Sequence, residues 1–457
     1  MEMLNDKERT RLVQTVCLAV VLLMEAVYFL MEDRAGGIAW YLLERYLTIP
    51  AMLFLGTALC RKQTRQTKTF LLLGAAVIVW FIVTQFVHQA MGMNKAELGT
   101  VACAYALALP YCAVAEDSQR QYGIRLTGLL VLGVAALTVF YSGLLMLGKL
   151  PAFLKGYVSW DGARLSVMGH PNMCAALLMM GIAFCVGFAL RCKKTWCKGL
   201  LAVLAALQFA VMSLTNGRTA ILITCVLLGG IVFCALRRPG WKRLALALAA
   251  GIAVMAVLFG VSQLIFRSNE AYRTELALQA QQSDNPDAGA PRLDANGKLV
   301  TGSGQGTLRE NMGTLNGRTN IWKAILNQIR QDPQLRAVGT EYVDLLIERG
   351  GYQVAHTHNS WLEVLCRRGT VGLILALVLT GIAVWDAAVL LWYNADLWQS
   401  CIAILELAIL ACAMLEPYLF ADAVSYYIYD FVFMLCLGYL DQWRRQGPCQ
   451  GGEKKHV

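Results

Sequence analysis

Residues 199–236 read GLLAVLAALQFAVMSLTNGRTAILITCVLLGGIVFCAL. Two apolar runs flank a tight turn, Asn216-Gly217-Arg218, and Arg218 is the only charged residue in the stretch. Inside a bilayer every backbone N–H and C=O must be paired within its own segment, so runs of this kind fold as helices. The stretch therefore predicts a transmembrane helical hairpin. The rest of the chain repeats the pattern, with further apolar runs of the roughly 20 residues that a bilayer core requires.

Twelve spans are expected: Leu12–Met31, Ile38–Leu59, Thr69–Met91, Leu98–Ala115, Leu126–Leu147, Met168–Leu190, Gly199–Leu214, Thr219–Leu236, Leu244–Phe266, Thr370–Trp392, Gln399–Pro417 and Val424–Leu440. Composition agrees. Of 457 residues, 57% are apolar and 15% charged, with a mean hydropathy of +0.52. A soluble fold carries about 25% charge, so this chain lacks the polar residues to cover a water-facing surface. The first run is too long for a cleaved leader and no small-x-small site follows it, which predicts an uncleaved anchor. The fold class is thus an all-α polytopic membrane protein.

Lysine and arginine in the short loops give the expected orientation. One set of loops holds 21 of them and the opposite set holds 6. Both termini are then cytoplasmic. The net charge of +10 is mostly topology. Its basic residues are scattered and form no single face, which argues against a nucleic-acid partner. Fifteen cysteines, an odd number found mainly in spans and inner loops, predict apolar packing and no disulfide framework.

One outer loop, 267–369, separates spans nine and ten. The expected division is 1–266 as transmembrane helices, 267–369 as an extracytoplasmic catalytic loop, 370–440 as the last helices and 441–457 as a cytoplasmic tail. Residues 281–306 are rich in Gly, Asp, Asn, Gln and Pro and predict a flexible segment. Order returns where Ile321, Trp322, Ile325, Leu326 and Ile329 fall on one helical face. Asp332-Pro333 ends that helix, Gly339 marks a turn, and Glu341–Arg349 reads as a short second helix. Ser360 and Glu363 have capping-box spacing ahead of a helix that runs into the tenth span.

Chemistry concentrates on this face. Arg164 precedes Gly169-His170-Pro171-Asn172, Arg218 sits in the hairpin quoted above, and Arg318 sits in a second Asn-Gly-Arg. Arginine suits phosphate because its planar fork donates two parallel hydrogen bonds and stays charged. Arg218 also reads as a snorkelling residue, and Arg318 as a solvated helix start. His358, in His356-Thr357-His358-Asn359, is the candidate general base, since histidine titrates near neutral pH. A capping histidine is the plainer reading, and His356 is the nearest substitute. No carboxylate or cysteine completes a metal set with His356, His358 and His170 at usual spacing. Glu25, Asp386, Glu406 and Glu416, within spans, read as bundle-interior hydrogen-bonding groups, with a proton relay as the alternative. Glu44-Arg45 reads as an interhelical pair. Asp422 and Tyr426-Tyr427 are candidates for lining the same cavity as the loop.

These motifs resemble the O-antigen ligase and Wzy polymerase superfamily. The resemblance rests on Arg164 with His170-Pro171-Asn172, Arg218 in its hairpin, and the run of Gly317-Arg318, Trp322, Asp332-Pro333, Gly339, His358-Asn359, Leu362-Glu363, Gly369 and Gly372. It implies a GT-C-like architecture and a metal-independent, inverting glycosyltransferase without a cofactor. The implied donor is an undecaprenyl-pyrophosphate-linked glycan at the outer face of the cytoplasmic membrane, and the acceptor a glycan, lipid or cell-wall hydroxyl. By the resemblance, Arg218 and Arg318 match pyrophosphate-binding arginines, His358 a catalytic histidine, and Arg164 and Asn172 a positioning motif. His170, His356 and Asn359 join the expected substrate-binding set. A Wzy-type polymerase is the near alternative. A twelve-span secondary transporter is more distant, because such folds show two similar halves and none is visible here. A membrane scaffold is disfavoured by the outer Arg and His residues.

Overall fold

The computed structural model describes residues 65–91, 117–151, 158–167, 171–237, 241–282, 299, 315–352, 356–393, 396–420 and 427–446. The spans expected at Leu12–Met31, Ile38–Leu59 and Leu98–Ala115 lie outside these residues. So do Glu25, Glu44, Arg45, His170, Asp422, Tyr426 and most of 281–306. The described elements are α1 (Arg65–Ala90), α2 (Asp117–Met146), β1 (Val158–Asp161), β2 (Arg164–Val167), α3 (Pro171–Arg191), α4 (Thr195–Thr215), α5 (Arg218–Leu236), α6 (Trp241–Gln282), α7 (Leu315–Gln331), α8 (Pro333–Val338), α9 (Val343–Arg349), α10 (Ser360–Trp392), α11 (Leu397–Ala413) and α12 (Tyr427–Gln446). The described chain is mostly helical. Seven of these helices, α1 to α6 and α10, are long and apolar enough to cross a membrane.

The chain divides into two compact units, residues 131–319 and residues 1–130 with 320–457. In the first, α3 is the core. Met173 to Cys185 are almost all buried, and α4 and α5 pack against it. Gly181 makes room for this: a Cβ there would sit 2.3 Å from Gln208 Oε1 and 2.9 Å from the Ala135 methyl. The α5 and α6 backbones cross closely, since a Cβ on Gly251 would lie 2.8 Å from the Gly229 carbonyl. Small residues permit such close crossings where lipid supplies no hydrophobic drive between helices.

α6 runs beyond the expected end of its span. Its 42 residues extend about 63 Å at 1.5 Å per residue, twice a bilayer core of roughly 30 Å. The first half presents Leu246, Val257 and Leu264 outward, as lipid-facing side chains do. The second half is polar, and it grips an antiparallel hairpin, β1–β2, that the all-α expectation missed. Asn269 donates to the Ala163 carbonyl (2.8 Å) and Arg273 to that of Gly162 (2.8 Å), with its guanidinium over Trp160.

In the second unit α10 packs against α1, α8, α11 and α12. α10 breaks at Gly369, where φ is +64°. A side chain at Gly369 would meet the Ala337 carbonyl at 2.2 Å, and one at Gly339 (φ +76°) would meet the Arg367 carbonyl carbon at 2.4 Å. Two glycines thus let the end of α8 lie against the break. The backbone groups that the break frees are satisfied: Thr340 N–H donates to the Cys366 carbonyl and the Trp80 indole to that of Arg368. α8 begins at Pro333, at the Asp332-Pro333 pair that was expected only to end the preceding helix; the Asp332 carboxylate caps it by accepting from Gln334 and Leu335 N–H.

The capping expectation for α10 is corrected. Asn359 is its N-cap, accepting from Leu362 N–H, while Glu363 accepts instead from Thr357 N–H and Ser360 donates to the Glu416 carbonyl. The intramembrane carboxylates also separate. Asp386 pairs with Arg444, which also holds Asp441. Glu406 is buried, and neither of its oxygens has a hydrogen-bond partner among the described residues, unlike the bonding expected of it.

Candidate active site

The first unit assembles the arginine group at the starts of α3 and α5. Arg164, opening β2, donates through Nε to the Thr215 carbonyl (2.9 Å) and through Nη2 to Asn172 Oδ1 (3.0 Å). It thereby ties the hairpin to the first turn of α3 and the last of α4. The turn between α4 and α5 is tight. Asn216 takes the left-handed conformation (φ 50°), and Gly217 is packed so closely that a Cβ would lie 2.6 Å from Ala175 and 3.8 Å from Asn172 Oδ1. That packing sets the position of Arg218. Its side chain is exposed at the first residue of α5 and makes no ion pair or side-chain hydrogen bond among the described residues. A free cation beside a helix N-terminus, where the dipole also favours negative charge, is an anion-binding arrangement. Arg318 lies in the first turn of α7, half-buried.

The second unit builds the histidine group. α7 buries Ile321, Ile325 and Ile329 as its periodicity predicts. The same helix sends the Trp322 indole to the Thr357 carbonyl (2.8 Å). Thr357 is also held by Glu363 through its N–H (2.9 Å), and its hydroxyl donates to the Asn359 carbonyl (2.8 Å), bridging across His358. Asn359 donates onward to the Met414 carbonyl (2.9 Å), and the Ser360 hydroxyl joins Glu416 O to Leu419 N–H (3.0 Å each). These bonds hold His358 at φ +54°, a region that residues other than glycine rarely occupy and that persists only where surroundings enforce it.

His358 Nδ1 lies 3.0 Å from Glu416 Oε2, with the carboxylate 2% and the imidazole 16% exposed. Glu416 offers only acceptors when ionised, so a neutral His358 ring places its N–H on Nδ1 and its lone pair on Nε2. Nε2 has no hydrogen-bond partner among the described residues. The His356 ring stands edge-on to that of His358, with centroids 4.2 Å apart.

A charged brace lies next to this loop. The Arg367 Nε donates to Glu363 (2.8 Å) and Arg367 Nη1 lies 4.0 Å from Glu341, whose other oxygen accepts from Arg368 (3.0 Å) and from His88 (2.9 Å). The second ring nitrogen of His88 meets the Val338 carbonyl (3.0 Å). Burial works against the Glu341 charge, yet His88, Arg368 and Arg367 hold its carboxyl below the ordinary carboxylate range.

The structure brings together Arg164 with Asn172, Arg218 with the turn that touches Asn172, and His356 with His358 and Asn359. Arg164 bonds the Thr215 carbonyl and the Asn172 side chain, and Asn359 bonds the backbone of Leu362 and Met414. Glu416 escaped the sequence reading of the site, where it was a carboxylate in a span. Trp322 and Glu363 stood among the residues that carry the resemblance, but their bonds to Thr357 were not foreseen. For Glu416 the one available signal was a carboxylate beside Pro417 at the end of an apolar run.

Residues 200–377 match a family model described as O-Antigen ligase, Wzy_C. The match contains Arg218, Arg318, His356, His358 and Asn359, and ends before Glu416. No curated protein matches the chain. The match supports the resemblance to the O-antigen ligase and Wzy polymerase superfamily.

Proposed function

We propose that this chain transfers a glycan from undecaprenyl pyrophosphate to an acceptor hydroxyl at the outer face of the cytoplasmic membrane, as an O-antigen ligase-like, inverting glycosyltransferase of the GT-C type. His358 Nε2 takes the acceptor proton as the oxygen attacks the anomeric carbon. Nδ1–H remains bonded to Glu416, so the carboxylate both fixes the tautomer and stabilises the imidazolium that forms. The glycosidic C–O bond breaks on the opposite face, and negative charge builds on the lipid pyrophosphate. Arg218 and Arg318 neutralise that charge, which is the part of the barrier that a preorganised cation lowers most. Arg164 and Asn172 hold the Arg218 turn, and Asn359 holds the base loop. One displacement inverts configuration and needs no divalent metal.

The observation that carries this reading is the His358–Glu416 contact at 3.0 Å with Nε2 left open. Its test is His358→Ala in cells. Surface-glycan transfer should be lost with the protein still present in the membrane, and full glycan display would remove the assigned base. Loss of the gene should leave long glycans on undecaprenyl pyrophosphate. Accumulation of single repeat units instead would identify a Wzy-type polymerase.

A further inference from the structure

Two histidines one residue apart are half of a metal-ligand set, and the chain near them in sequence offers no third ligand of usual spacing. The tertiary structure supplies one. The donor atoms of His356, His358 and Glu416 all lie within 4.8 Å of one another. The His358 Nδ1 to Glu416 Oε2 edge is 3.0 Å. Ligand atoms around a tetrahedral zinc ion with bonds of about 2.0–2.1 Å stand roughly 3.3 Å apart. One edge therefore already has the required length. The other donors need to close by no more than about 1.5 Å, within reach of a side-chain rotation. Two imidazoles and a carboxylate match zinc-class ions, and leave a fourth position for water. The imidazoles are half-buried and the carboxylate buried, so an ion has an approach and a partly dry seat.

From this geometry we propose that His356, His358 and Glu416 form an inhibitory site for a zinc-class divalent cation. The inhibition rests on the assignment of His358 as base; the site itself does not. An ion bound at Nδ1 displaces the proton there, which solvent carries to the Nε2 lone pair of the same ring with no net proton released, and takes the Glu416 oxygen that held it. The neutral imidazole must then carry its one N–H at Nε2. The lone pair that accepts the substrate proton is gone. The metal thus switches the base off by fixing the opposite tautomer, without moving the loop.

The test uses the full chain in lipid nanodiscs, stripped with EDTA. Zn²⁺ binding is titrated against a chromophoric chelator without substrate, and transfer is assayed separately over the same Zn²⁺ range. The expected result is one ion per chain, loss of transfer at the same midpoint, and recovery with EDTA. Millimolar Mg²⁺, which prefers oxygen ligands, should do neither. His356→Ala and Glu416→Gln should each weaken binding about tenfold or more. Co²⁺ on the unsubstituted chain should give a tetrahedral visible absorption band, which keeps the test independent of how the variants fold. Absence of stoichiometric Zn²⁺ binding overturns the site, as does affinity unchanged in both variants. Binding that leaves transfer intact, or metal that stimulates the stripped enzyme, overturns the inhibition. The base reading fails separately, if His358→Ala retains transfer.

Discussion

Glu416→Gln removes one charge from the site and almost nothing else. The Glu416 backbone carbonyl, which receives the Ser360 hydroxyl, is untouched, so the anchor of the base loop survives. The glutamine amide oxygen can still accept from His358 Nδ1. What disappears is the charge-assisted part of the bond, which matters most when the proton arrives on Nε2 and the ring becomes a cation. A hydrogen bond to a charged group contributes about 1.5–3 kcal/mol, and the pair is nearly sealed from solvent, with Glu416 2% exposed. The neutral bond that glutamine keeps contributes about 0.5–1.5 kcal/mol, so about 1–1.5 kcal/mol is lost from the transition state, which lowers kcat roughly 5- to 12-fold at 1.4 kcal/mol per factor of ten. Donor binding lies with the arginines, so KM should change little. The assay is single-turnover and steady-state transfer with a lipid-linked donor, in parallel with His358→Ala. A Glu416→Gln enzyme whose kcat stays within threefold of the parent, while His358→Ala is inactive, would refute the orienting role and the magnitude drawn from it.

Other expectations concern binding and stability. Arg218→Ala should abolish transfer yet change stability by less than about 0.5 kcal/mol, because the exposed side chain makes no ion pair among the described residues; thermal unfolding in detergent and a transfer assay together check it. Gly369→Ala forces a methyl to within 2.2 Å of the Ala337 carbonyl at φ +64°. It should destabilise by at least about 1–3 kcal/mol, seen as a lowered melting temperature. Glu341→Gln leaves Arg368 and His88 buried without their countercharge and should cost about 3–5 kcal/mol. The folded Glu341 carboxyl sits below its ordinary range. Its contribution is therefore fully present above that range and is lost as pH falls through the depressed folded value, so the parent, but not Glu341→Gln, should lose this increment in acid melts.

The helices were legible because lipid makes secondary structure a local matter. A run such as Thr219–Leu236 has no solvent to satisfy its backbone, and it is helical whatever packs beside it. The isoleucine stripe of α7 was legible for a related reason, since 3.6-residue periodicity records which face is buried. Boundaries were less so. α6 continues to Gln282 because Asn269 and Arg273 have a hairpin to hold, and no hydropathy pattern reports that use. Ser360 and Glu363 had capping-box spacing, but both side chains found better partners in Glu416 and Thr357.

Of the site, residue types were readable and the pairing was not. Arginine in a charge-free hairpin and histidine before a helix are unusual placements, so Arg218 and His358 stood out in the sequence alone. That His358 carries its proton on Nδ1 depends on Glu416, 58 positions away. That it adopts φ +54° depends on Thr357, Asn359 and Trp322 acting together. The sequence by itself determined a membrane-embedded helical chain and the side chains able to meet a phosphate and a proton. Only the tertiary structure decided which nitrogen faces the carboxylate and which stays open. A hydrogen bond between distant residues exists through the packing of α10 against α11, and that packing is not encoded in any local period.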